Sequence, residues 1–165
     1  MRQGFSADVA RYILYCAPDA IAWIIGIKKY PKLTGKVYFW QMEEGVFLEV
    51  EVKGLPDELN DNRNIFNIHI LSGQSRAISP EGITFYKENQ YDVIQEKDCE
   101  MIGNLPPVFS NNGMAWYATL INGFRVADLI GCEISIDGEL EDFIVEPSDK
   151  NSKLAYGVIR TNNFS

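Results

Sequence analysis

Histidine is nearly absent from this chain of 165 residues: His69 is the single one. A site built from several imidazoles therefore cannot form within it. Cysteine is scarce as well, since Cys16, Cys99 and Cys132 lie far apart, with no C-x-x-C pair and no Cys/His cluster at metal spacing. An odd, dispersed set suits a reducing cytoplasm better than a disulfide framework. Cys132 stands in an apolar run and is expected as a buried thiol. No apolar run approaches the ~18 residues of a membrane span, which excludes a transmembrane helix. Residues 1–17 do not read as a secretory signal, because Asp8 and Arg11 interrupt them and the apolar stretch 12–17 is short. Basic residues are outnumbered 15 to 23, leaving a net charge of −8. A nucleic-acid binder shows the opposite balance. Neither nucleic acid nor membrane is expected as a partner.

What the chain does have is a 46% hydrophobic content arranged mostly with period two. A chain of this size buries about two-thirds of its unfolded surface without a metal or disulfide staple. Residues 45–54 alternate Leu48, Val50 and Val52 against Glu49, Glu51 and Lys53, a half-buried strand. Residues 36–42 are rich in β-formers, and Glu43-Glu44-Gly45 joins the two as a hairpin turn, with Gly45 expected at positive φ. Further strands are expected at 20–27, 65–71, 114–120, 133–136 and 155–159. Only residues 6–16 and a turn near 126–129 look helical. The pattern predicts an all-β domain of seven or eight short antiparallel strands, a sandwich or Greek-key barrel, over 18–165. Residues 1–17 form an N-terminal appendage.

Two connections are long, 72–112 and 138–153, and carry glycine, proline, asparagine and charges with little periodicity. Loops of that length in a compact domain commonly carry function. Repeats, linkers and low-complexity tracts are lacking.

The order of several short segments resembles the copper/zinc superoxide dismutase family. The pieces are Tyr30-Pro31-Lys32-Leu33-Thr34-Gly35-Lys36-Val37, Val50-Glu51-Val52-Lys53-Gly54-Leu55-Pro56 and Phe66-Asn67-Ile68-His69. Then follow Gly103-Asn104-Leu105-Pro106-Pro107-Val108-Phe109, Asn111-Asn112-Gly113, Leu129-Ile130-Gly131 and Ala155-Tyr156-Gly157-Val158-Ile159-Arg160. The Leu-Pro-Pro-aromatic and Asn-Asn-Gly pieces are most similar to short, signal-less bacterial members. The resemblance implies an eight-stranded Greek-key barrel with its active site on the outer face, under the two long loops.

It also implies a ligand set that this chain lacks. The family needs six histidines and an aspartate for copper and zinc. Its His-x-His on the fourth strand reads Asn67-Ile68-His69, and alternation keeps Asn67 and His69 on one face. The other ligand positions fall on Thr84 (loosely), Met101, Asn104 and Asp137. An amide, a hydroxyl, a thioether and a carboxylate mix hard and soft donors that no single copper state favours. The anion-guiding arginine corresponds to Lys153. The family's disulfide is missing, since Tyr156 stands at one of its cysteine positions.

Each residue also has a plainer reading. His69 alone is a strand histidine bonded to a neighbour, and Asp137-Gly138 reads as a turn. Lys153, near Asp142, Glu146 and Asp149, reads as part of a solvated mixed-charge loop. A sharper alternative joins His69 with Cys99 and Met101, soft donors suited to Cu(I). On the second strand Val37 and Phe39 are expected to face the barrel, leaving Tyr38 and Trp40 outside, with Phe47 beside them. Outward aromatics of this kind anchor partners or pack under a loop, and a homodimer through them is expected. Two function classes compete: a non-catalytic structural or binding module without cofactor, and an oxidoreductase or metal-handling protein with a rearranged copper site.

Overall fold

The period-two segments become a single antiparallel sheet. The computed structural model describes residues 7–56, 65–72, 101–138 and 153–163. Among them are helix α1 (Ala7–Tyr15) and strands β1 (Ala20–Gly26), β2 (Thr34–Gln41), β3 (Val46–Lys53) and β4 (Ile65–Leu71). Strands β5 (Met101–Phe109) and β6 (Met114–Ile121), helix α2 (Val126–Leu129), and strands β7 (Glu133–Asp137) and β8 (Lys153–Thr161) follow. The sheet order is β5-β4-β7-β8-β1-β2-β3-β6. Strand β3 pairs with β6 and β4 with β7, each pairing skipping two strands, which is Greek-key connectivity. The terminal strands β5 and β6 approach without a continuous ladder, so the sheet is nearly closed into a barrel. No helix among the described residues is long and apolar enough to cross a membrane.

Alternation sets which side chains fill the interior. Val37, Phe39, Leu48 and Val50 from one half, and Phe66, Ile70 and Ile134 from the other, are almost wholly buried. Each such side chain contributes about 1.5–3 kcal/mol relative to exposure.

Two turns correct or sharpen the sequence reading. Gly45 does not adopt positive φ. Its requirement is steric, because a Cβ there would come within 2.2 Å of the Ile121 carbonyl oxygen on neighbouring β6. The β5–β6 hairpin does use positive φ, at Asn112 (52°) and Gly113 (76°). Two successive left-handed residues make a tight turn whose twist matches the strands. Asn111 N–H donates to the Met114 carbonyl at 2.7 Å, and Met114 N–H returns the bond at 3.0 Å.

Strand β5 lies inside the 72–112 stretch that patterning assigned to a long connection. Its pairing with β4 slips between Phe66 and Ile68, opposite Val108 and Leu105, so Pro106 and Pro107 sit in a bulge. Proline donates no ladder bond and is accommodated at bulges and edges, where the alternation signal is broken. The rest of that connection, 73–100, lies outside the described residues, as does 139–152.

Candidate functional site

Strands β4, β7 and β8 lie side by side and turn their polar residues outward. On β4, Phe66, Ile68 and Ile70 are buried in the barrel while Asn67 and His69 face away from it. On β7, Ile134 and Ile136 face inward, leaving Glu133, Ser135 and Asp137 on the outer side. The register pairs Asn67 with Asp137 and His69 with Ser135. Asp137 pairs in turn with Lys153 at the start of β8.

Hydrogen bonds link this row. His69 Nε2 stands 3.3 Å from Asp137 Oδ2, with both side chains mostly shielded (12% and 17% exposed). Ser135, itself 1% exposed, donates its hydroxyl to Asp137 Oδ1 at 3.2 Å. Asp137 thus uses one oxygen toward the imidazole and the other toward the hydroxyl. Lys153 Nζ lies 2.6 Å from Glu133 Oε1 and 5.8 Å from the Tyr156 ring centroid. Such shielded, charge-assisted contacts are stronger than surface pairs and tie β4, β7 and β8 together.

The sequence-derived positions therefore converge in part. Asn67, His69, Asp137 and Lys153 form one patch. Asn104 stands opposite His69 in the β4–β5 register, and Met101 opposite Leu71. Thr84 and Cys99 lie outside the described residues, so the His69–Cys99–Met101 grouping does too. Lys153 is not a loop residue: it opens β8 and is paired with Glu133. Asp137 closes strand β7, and the residues that would complete a turn from 139 on lie outside the described ones. Glu133 and Ser135 were not singled out from sequence, although the alternation Glu133-Ile134-Ser135-Ile136-Asp137 places all three polar residues on one side.

A copper–zinc centre does not fit this donor set. The patch offers one imidazole, an amide and a carboxylate, and the carboxylate is bonded to its own neighbours. Among the described residues no group of three His, Cys, Asp or Glu side chains converges as a metal site requires. Cys16 is half-buried and Cys132 buried, its Sγ donating to the Asp128 carbonyl at 3.7 Å.

The opposite face of the barrel carries the aromatics. Tyr38, Trp40 and Phe47 do point away from the interior, with ring centroids 6.0 Å and 5.8 Å apart in that order. Trp40 and Phe47 are nevertheless only 4% exposed. The Trp40 indole donates to the Cys16 carbonyl at 3.0 Å, just past the end of α1. These two rings are thus buried within their own chain, which removes them as open anchors. Tyr38 is half-buried. The open aromatics of this face are Trp23 on β1 and Trp116 on β6.

No protein-family model matches the chain, and no curated protein matches it in sequence.

Proposed function

We propose that the chain is a non-catalytic barrel of the superoxide dismutase type, a structural or binding module that has lost its copper and zinc and pairs with a second copy of itself. The observation that carries this reading is the use of Asp137. At a position where the resemblance implies a copper histidine, its carboxylate instead joins His69 and Ser135. Hydrogen bonds and an ion pair occupy the outer patch where a metal centre needs several unprotonated nitrogens. The single histidine count points the same way, and the acidic balance fits a protein without nucleic-acid partners. A reducing cytoplasm is the setting that suits its dispersed thiols.

Metal analysis of the purified protein tests this directly. Copper, zinc, manganese and iron are each expected well below one equivalent after dialysis. Calorimetric titration with copper is expected to show no tight stoichiometric site. One tight equivalent of copper, lost in His69→Ala, would overturn the reading in favour of the rearranged site with Cys99 and Met101.

A further inference from the structure

The outer face of β1-β2-β3-β6 has an order that complements itself. The register runs Trp23–Lys36–Glu51–Trp116 straight across the four strands. Flanking rows read Ile25–Thr34–Lys53–Met114 on one side and Ile21–Tyr38–Glu49–Ala118 on the other. Both ends of the central row are open apolar surface, with Trp23 59% and Trp116 64% exposed. Ile25 and Met114 beside them are 57% and 54% exposed.

We infer that this face is a homodimer interface whose two-fold axis runs parallel to the strands, between β2 and β3. The inference rests on the self-pairing reading above and names its surface. Such an axis, lying in the contact plane, brings each residue opposite the one equally far on the other side. Trp23 then faces the partner copy's Trp116 position, Lys36 faces Glu51, Ile25 faces Met114, and Tyr38 faces Glu49. Apolar meets apolar at the ends of the rows and Lys36 meets Glu51 at the centre, while Tyr38–Glu49 and Thr34–Lys53 set a hydroxyl against a charge without like-charge conflict. Two curved faces diverge away from the axis, and the largest side chains stand at those flanks. The indoles are also held in place. Trp116 Nε1 donates to Glu49 Oε1 at 2.8 Å, and Lys36 Nζ lies 4.9 Å from the Trp23 ring centroid. Fixed aromatic anchors lose little freedom on binding.

The size of the patch sets the strength. Four strands and three rows cover about 400 Å² per copy from strand and residue spacings, the low end of specific interfaces. A micromolar dimer follows, not a permanent one.

Charge exchange tests the axis. In sedimentation, wild-type protein is expected to dimerise at tens of micromolar, a rough range for an interface of this size. Lys36→Glu alone and Glu51→Lys alone each place like charges in contact and weaken association at least about tenfold. The double exchange is expected to restore it to near wild type. Wild-type protein that stays monomeric overturns both this inference and the self-pairing reading. A dimer indifferent to the single exchanges, or not restored by the double one, overturns only the face and axis.

Discussion

Tyr117 illustrates how one side chain can work against the fold that holds it. Its ring packs against the core, yet among the described residues its buried hydroxyl has no hydrogen-bond partner. A hydroxyl in that position loses water without compensation. Burial also pushes its phenol well above the ordinary value of 10.0. The folded state then keeps a proton that the unfolded chain gives up, so stability falls as pH rises above 10.0. Tyr117→Phe keeps the ring and removes the oxygen. It is expected to stabilise the protein by about 1 kcal/mol at neutral pH and to flatten the alkaline loss. Urea unfolding at pH 7 and about pH 11, either side of an ordinary tyrosine pKa, checks both effects. A destabilised variant with an unchanged alkaline slope would contradict this. Nothing in the sequence marks Tyr117, because alternation tells which side a residue faces but not whether its polar atom finds a partner. His69 and Asp137 were picked out by the resemblance, which sets both at ligand positions, and alternation added only that Asn67 and His69 share a face. Their contact was not legible, since it depends on the β4–β7 register.

Elements were legible where alternation is clean and lost where proline and glycine break it. Strand β4 appears at the bounds read from its alternation, while β5 vanished behind Pro106-Pro107 and its bulge. The two helical segments also appear where expected, but their role was not readable from sequence. Helix α1 has nine residues, too few to persist alone in water. Its end is held by the Trp40 indole on the Cys16 carbonyl, and Asp19 takes the Gln41 backbone N–H at 2.7 Å. The aromatic row that sequence offered as a partner surface is thus partly closed from within. Trp40→Ala removes the bond to Cys16 and the ring contacts with Tyr38 and Phe47. A loss of about 3–5 kcal/mol is expected, as for other buried tryptophans. Release of α1 should accompany it, read as new proteolytic cleavage within residues 7–16 under conditions where the barrel stays intact. Unchanged protection of that segment would show that other contacts hold the helix.

For the whole molecule, fold and chemistry separate. The Greek-key order depends on inward-facing residues such as Phe39, Phe66 and Ile134, which are indifferent to what stands on the outside. A barrel of this size needs no metal, so its outer polar row is free to change while the interior persists. The chain follows that division. Its interior is apolar throughout β1–β4, and its outer row on β4 and β7 is knit by Asp137 to His69 and Ser135. Dismutation requires a metal held in two oxidation states, and one imidazole with an amide and a carboxylate holds neither copper state well. Superoxide decay, followed with protein incubated in excess copper and zinc and compared with chelated and metal-only controls, decides the matter. A non-catalytic barrel leaves the decay equal to that of the metal-only control, with no component that depends on protein. Protein-dependent, chelator-sensitive decay near the diffusion limit would contradict it.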